Sequence, residues 1–285
     1  MPFTPSHAVV ALAFSNGRIP AAAVAIGAMV PDIGMYIPIA VARESTHSLL
    51  GVVTVDLLLG MLGLALWSAV VAPAWRDLAP ALVRSRLRPR RSPPRGAAAW
   101  IRVLVFAAAG IAIGAASHVM WDGFTHRGGL FVSAIPLLQQ ELGPFPGFRW
   151  AQYASGVLGL LGLGIGAVVW YVGRRPRKLR SDGRQPVRIA AAAVVLAAAV
   201  VPAGIVLAGA GIDPLDAAYR AHVVRAAILL VGGGAAAAVA VAAVWWLTGR
   251  GMRGAVVSDD GGRACRLKGA RASVARRMRR CIAHR

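Results

Sequence analysis

The chain has 285 residues, is 57% hydrophobic and carries 15% charged residues, against the ~25% of an ordinary soluble domain. Its formal net charge of +21 would suggest a nucleic-acid partner in a soluble protein. Here the apolar residues gather into blocks of roughly 20, enough to cross a bilayer as a helix, with the basic residues between them; a soluble globular enzyme is excluded.

The reading is an all-α, polytopic transmembrane helical bundle of about five to six spans with a short N-terminal helical hairpin. Two apolar runs, residues 5–14 and 20–31, flank Ser15-Asn16-Gly17-Arg18-Ile19-Pro20, a strong turn signal. Each run is too short to span alone. In one topology residues 20–42 form an extra span, with Asp32 inside the membrane and His7 on the cytoplasmic side. In the other the two runs form a hairpin that dips in from outside and returns, so that His7 and Asp32 meet at its mouth. The hairpin is preferred because it keeps Asp32 out of the hydrocarbon.

Longer apolar segments follow near 49–72, 101–121, 153–173, 189–211 and 224–247. The last two are rich in Ala and Gly, which lets membrane helices pack closely. The chain divides into residues 1–175, a His/Asp-containing membrane domain; 176–248, two further spans; and 249–285, a basic tail. Most basic residues lie between Arg76 and Arg102, between Arg174 and Arg188, and beyond Arg250. The positive-inside rule places these segments, and the C-terminus, in the cytoplasm. Residues 32–48, 122–152 and 212–223 then face outside.

In the tail, Leu267, Ala270, Val274, Met278 and Ile282 recur at helical spacing among arginines. A basic amphipathic helix on anionic inner-leaflet lipid and a disordered basic tail fit equally. No nucleic-acid partner is expected. Cys265 and Cys281, both in the tail, are expected as reduced thiols without a role. The first basic residue is Arg18, so a cleaved signal peptide is not expected.

The chemistry lies in a few polar residues set among Ala, Val, Leu and Gly: Ser6-His7, Pro31-Asp32, Thr46-His47-Ser48, His118 to Asp122, and Thr125-His126-Arg127. Uncompensated polar groups in an apolar setting are costly, so such groups are paired, solvated or functional. His118, Asp122 and His126 stand at i, i+4 and i+8, one face of a continuous helix. Gly123 and Gly128-Gly129 suggest that the helix frays after Asp122, with His126 folding back. Imidazole and carboxylate donors suit Zn²⁺, and also Mn²⁺ or Fe²⁺. The expected ligands are His118, Asp122, His47 and His126, then Asp32 and His7. Asp32 or Glu44 is a candidate general base, and Asp32 an alternative ligand for a second metal. Arg127 is placed to hold a phosphate or carboxylate oxygen. Thr46, Ser48, Ser117 and Thr125 are candidates to orient the imidazoles. An interfacial hydrogen-bond network of histidines is the bland alternative. Asp56 falls inside the first long segment, as a functional group or a protonated structural one.

The stretches Met1-Pro2-Phe3-Thr4-Pro5-Ser6-His7, Val30-Pro31-Asp32, Thr46-His47-Ser48-Leu49-Leu50-Gly51 and His118-x-x-Trp121-Asp122-x-x-Thr125-His126 resemble a bacterial membrane family, domain-of-unknown-function family 4184, over about residues 1–175. The order of elements is also similar to YdjM-type inner-membrane proteins, described as metal-dependent hydrolases. Their Thr-His, Pro-Asp, His-Ser and His-x-x-x-Asp motifs fall on His7, Asp32, His47, and His118 with Asp122. The His-Arg that usually precedes their Thr-His-Ser is replaced by Arg43-Glu44-Ser45, which weakens a two-metal assignment. The resemblance implies a multi-pass protein of the bacterial cytoplasmic membrane. The expectation is a metal-dependent hydrolase acting at the outer face on an ester or phosphoester, with a lipid substrate fitting a site at headgroup level. The rivals are a metal-cation transporter, for which the spans offer few polar groups beyond Asp56, and a structural or assembly protein.

Overall fold

The computed structural model describes residues 3–89, 93–179, 182–211 and 213–248. The expectations for the tail, including Cys265 and Cys281, lie outside the described residues. Among the described residues five helices are long and apolar enough to cross a membrane: Val55–Leu78, Ala97–Ala134, Gly147–Val172, Gln185–Ala208 and Ala217–Leu247. We refer to them as the first to fifth long helices; the second is continuous over Ala97–Thr125 and continues in a short helix, Leu130–Ala134. Their outer faces expose Leu58, Leu62, Val157, Leu161 and Ile165. Such apolar surface is stable only against lipid, and the chain is a multi-pass membrane protein.

The residues before the first long helix form a hairpin and not an extra span. An 11-residue 3-10 helix, Thr4–Phe14, descends and the seven-residue helix Ala21–Gly27 returns. The return ends in a 3-10 turn, Val30–Met35, that carries Asp32. The hairpin packs against the first, second and third long helices. It crosses the second at glycines: a Cβ on Gly114 would lie 2.6 Å from the Ala28 nitrogen, and one on Gly27 would lie 2.7 Å from the Ile111 Cα. Gly159 of the third helix likewise faces Ser6, where a Cβ would lie 2.7 Å from the carbonyl oxygen. Small residues here let backbones touch, and that contact fixes the depth of the hairpin.

The segment expected to begin near residue 49 breaks at Thr54. Ser48 caps a short helix, Leu49–Val53, by accepting from the Gly51 N–H at 2.9 Å, and the long helix restarts at Val55. The second long helix does not fray at Gly123. It continues to Thr125, and His126 closes it by donating its N–H to the Asp122 carbonyl at 3.1 Å. The loop that follows forms helices Leu130–Ala134 and Pro136–Gln139 and a pairing of Glu141–Leu142 with Phe145–Pro146.

Consecutive long helices alternate in direction, so the chain has two ends. One holds the hairpin mouth, His47 and the turns after the second and fourth helices. At the other, Asp77 of the first helix is ion-paired with Arg184, whose Nη2 lies 2.7 Å from Oδ2, and accepts from the Trp245 indole at 2.6 Å. There Arg188 forks onto Asp182, at 2.8 and 2.5 Å, and its Nε donates to the Asp77 carbonyl at 2.9 Å. These bonds tie the fourth and fifth helices, which pack mainly on each other, to the first.

Candidate metal centre

Asp32, His47, His118 and Asp122 each offer a ligand atom, and these atoms lie within 4.8 Å of one another. Three elements bring them together. Asp32 arrives on the hairpin return. His47 follows the short helix Arg43–Thr46. His118 and Asp122 sit one turn apart on the second long helix, so they share a face. Asp32, His118 and Asp122 are buried, with 4%, 0% and 6% of their surface exposed.

The distances describe two carboxylates facing two imidazoles. His47 Nε2 lies 3.5 Å from Asp32 Oδ1 and 3.4 Å from Asp122 Oδ2. His118 Nε2 lies 3.7 Å from Asp32 Oδ2 and 3.6 Å from Asp122 Oδ2. In and around the cluster, His7 Nε2, Asp32 Oδ1, His47 Nε2, His118 Nε2 and Asp122 Oδ1 are buried without a hydrogen-bond partner among the described residues, while Asp32 Oδ2 and Asp122 Oδ2 accept from Thr4 and Arg43. Buried donors and acceptors are normally satisfied, so this group of unpartnered atoms marks the cluster as a candidate ligand site.

The surroundings orient the ligands. His118 Nδ1–H donates to the Ala28 carbonyl at 2.8 Å, leaving the lone pair on Nε2 toward the carboxylates. Thr4 Oγ1 donates to Asp32 Oδ2 at 2.7 Å. His47 Nδ1 lies 3.2 Å from the Arg43 carbonyl, and Thr46 Oγ1 donates to the Pro31 carbonyl at 2.8 Å. Of the four hydroxyls expected to orient imidazoles, Thr46 and Thr125 lie 3.1 and 3.3 Å from a ring nitrogen. Ser48 caps its helix, and Ser117 donates to the Gly114 carbonyl at 2.7 Å.

His7 stacks on His118 with centroids 4.1 Å apart, and its Nε2 lies 3.9 Å from Asp122 Oδ1. Burial, reinforced by His118, pushes the His7 pKa down to about 4, so the ring is neutral at pH 7. Burial also opposes charge on Asp32, but His47, His118 and the Thr4 hydroxyl outweigh it and hold the carboxyl below its usual range. Burial works against the charged form of His47 as well; there the Asp122 and Asp32 carboxylates prevail and raise it to about 9. His126 lies beside the four-residue group: its Nδ1 is 3.4 Å from Asp122 Oδ1, and the Gln152 amide lies 3.4 Å from its Nε2.

Glu44 is exposed and makes no ion pair or side-chain hydrogen bond among the described residues. Arg127 is exposed on a cavity beside the cluster. Asp56 is fully buried, and neither carboxylate oxygen has a hydrogen-bond partner. Among the described residues neither His7 nor a hairpin serine pairs with it.

Sequence reasoning missed Arg43, whose Nη2 donates to Asp122 Oδ2 at 2.9 Å while Nη1 lies 3.8 Å from Asp32 Oδ1. It also missed Thr4, the Ala28 carbonyl and Gln152. Arg43 could have been weighed as the residue standing where a His-Arg was expected; the other three give no local signal.

The cluster opens into a cavity of about 1660 Å³ between the second, third and fifth long helices. Its wall includes His47, Asp122 and His126, and the arginines Arg43, Arg127, Arg149, Arg220 and Arg225.

Among known families, the one described as Domain of unknown function (DUF4184) matches residues 1–244, which includes the fourth helix and nearly all of the fifth. No curated protein and no solved structure matches the chain.

Proposed function

Because the chain belongs to the family Domain of unknown function (DUF4184), whose description assigns no chemistry, we propose its activity from the site: a membrane-embedded, metal-dependent hydrolase of an ester or phosphoester. The observation that supports this reading is the gathering of two carboxylates and two imidazoles, each offering a ligand atom within 4.8 Å of the others, at the head of a large cavity. Asp32, His47, His118 and Asp122 hold one divalent cation, and their mixed nitrogen and oxygen donors suit Zn²⁺ best, with Mn²⁺ and Fe²⁺ compatible. Bound there, such a cation would supply Lewis acidity, polarising an ester carbonyl or phosphoryl oxygen and making an attacking water more acidic.

The chain's own residues do the rest. The Ala28 carbonyl and Thr4 hydroxyl pre-orient His118 and Asp32. His7, stacked on His118, places its Nε2 3.9 Å from Asp122 Oδ1, where it lies beside the ligand group. Arg43 sets its guanidinium at the cavity end of the cluster, where it can stabilise charge developing on a substrate oxygen. Glu44 receives no role, being exposed and unconnected to the cluster. In the reaction, water oxygen bonds to the acyl carbon or phosphorus, the bond to the leaving oxygen breaks, and the departing alcohol takes a proton. The clustering of basic residues at the opposite end argues for a site on the outer face of a bacterial cytoplasmic membrane, with a cytoplasmic C-terminus near anionic lipid.

The test is elemental analysis of detergent-purified protein prepared with metal in excess, beside His118→Ala/Asp122→Ala and the shape-conserving Asp32→Asn. About one transition-metal ion per chain is expected in the parent and a large loss in both variants. A folded parent protein without stoichiometric metal would overturn the proposal. So would Asp32→Asn protein that keeps its ion and hydrolyses a chromogenic ester or phosphodiester at the parental rate.

A further inference from the structure

We infer that the cavity beside the cluster binds a phosphate-bearing lipid, its phosphate on arginines and its acyl chain between the second and fifth long helices. As the identity of the substrate this rests on the hydrolase reading; as a binding site it requires no turnover.

The first observation is charge placement. Away from the basic connections at the other end and from Arg18 in the hairpin turn, the described chain has five basic residues: Arg43, Arg127, Arg149, Arg220 and Arg225. They come from four separate parts of the sequence, yet all five line this one cavity. Among the described residues, the only acidic one in its wall is Asp122. Arg43 is engaged with Asp122, and Arg220 donates to the Leu215 carbonyl and lies 5.4 Å over the Phe145 ring. Arg127, Arg149 and Arg225 have no carboxylate partner among the described residues. Three guanidinium groups around a recess, Arg127, Arg149 and Arg225, without a carboxylate partner among the described residues, match a phosphate, whose oxygens accept paired N–H donors.

The second observation is the rest of the wall. The second long helix contributes Ala116, Val119 and Met120, and the fifth contributes Val224 and Ile228, each set on one helical face. Met120 is 56% exposed, and it is a flexible side chain suited to a variable apolar ligand. From Ala217 to Ile228 the lining follows the fifth helix for about 16 Å, half the ~30 Å hydrocarbon layer. The volume of about 1660 Å³ also exceeds the roughly 300–1,000 Å³ of compact ligand sites. A small polar anion would leave this apolar length empty, and an uncharged lipid would leave the arginines without counter-charge.

The experiment is calorimetric titration of the full chain in a neutral detergent with three probes: lysophosphatidic acid, inorganic phosphate and monoacylglycerol. Saturable binding of lysophosphatidic acid is expected, with each of the other two at least roughly tenfold weaker. Arg127→Gln/Arg225→Gln should weaken lysophosphatidic acid binding roughly tenfold while keeping the parental metal content. Arg175→Gln, at the opposite end, should leave binding unchanged. Monoacylglycerol binding as tightly as the phospholipid would overturn the phosphate site. Inorganic phosphate binding equally well would overturn the lipid. Absence of saturable binding, or of an effect in the arginine double variant, would overturn both. Asp32→Asn separates the two proposals: protein that has lost metal but binds lysophosphatidic acid supports the cavity assignment whether or not the parent hydrolyses anything.

Discussion

Gly114→Ala adds one methyl group and should disable a site that Gly114 does not touch. Its Cβ would lie 2.6 Å from the Ala28 nitrogen, 2.9 Å from the Gly27 carbonyl carbon, and in collision with the Val24 carbonyl oxygen. All three are backbone atoms, so no side chain can swing aside. Ordinary contact begins at 3.4 Å, so the hairpin must part from the helix by the difference between 3.4 and 2.6 Å, about 0.8 Å at least. The same movement stretches the 2.8 Å bond from His118 Nδ1 to the Ala28 carbonyl to about 3.6 Å, beyond hydrogen-bonding reach. Overpacking costs about 1–3 kcal/mol and an unsatisfied buried N–H about 1–3 kcal/mol. Because the two share one displacement they do not add fully, and a net loss of about 2–4 kcal/mol is expected. Asp32, four residues beyond Ala28, moves with the hairpin, so metal affinity should fall by ~10–100-fold, as for lost outer-shell support. The assay is thermal unfolding of metal-free and metal-loaded protein in detergent, with a metal titration. Gly164→Ala is the paired control: nothing lies within 4 Å of its Cβ position, and helix propensity should leave stability equal or up to ~1 kcal/mol higher. If Gly114→Ala protein unfolds at the parental temperature and binds metal with parental affinity, the argument that this glycine crossing sets the site is wrong.

Arg43→Gln removes a cation that competes for the charge of Asp122 and Asp32. Because the Arg43 side chain is 45% exposed, solvent weakens that competition, and metal affinity should rise by no more than roughly tenfold; a fall in affinity would refute the competition. At the other end, the Arg188 guanidinium beside Asp182 holds that carboxyl well below its usual range. A depressed folded pKa gives stability that is present above the unfolded value near ~3.8 and is lost as pH falls below it. Acid unfolding below about pH 4 should therefore be blunted in Asp182→Asn, seen as a smaller drop in unfolding temperature between pH 5 and pH 3 than in the parent; an unchanged drop would refute the contribution. Trp245→Phe should cost about 1 kcal/mol through the lost bond to Asp77 while leaving metal content unchanged, since among the described residues the two ends share no polar contact; loss of metal would show that they are coupled.

The spans were legible because hydropathy is a property of each segment alone. Blocks of about 20 apolar residues must be helices in a bilayer whatever their neighbours are. The hairpin was legible from Ser15 to Pro20, a turn set between runs too short to cross. Asp32, His47, His118 and Asp122 stood out as polar residues among aliphatic ones, and His118 and Asp122 could be placed on one face by helical spacing. Segment boundaries were less legible: the break at Thr54 and the continuation through Gly123 to Thr125 depend on capping and packing by residues elsewhere in the fold.

Apolarity and periodicity along single segments are enough to specify the membrane bundle and a short roster of candidate ligands. Which candidates meet depends on packing between segments. Glu44 lies three residues from His47 yet faces solvent, while Thr4 reaches Asp32 across 28 residues and Arg43 reaches Asp122 across 79. The five cavity arginines likewise look like scattered exceptions to the charge pattern until the second, third and fifth helices are placed side by side. The physical reason is that convergence of atoms to within hydrogen-bonding distance depends on where two backbones touch. Here that contact is the crossing of Gly27 and Gly114, an interaction between segments that neither one carries alone.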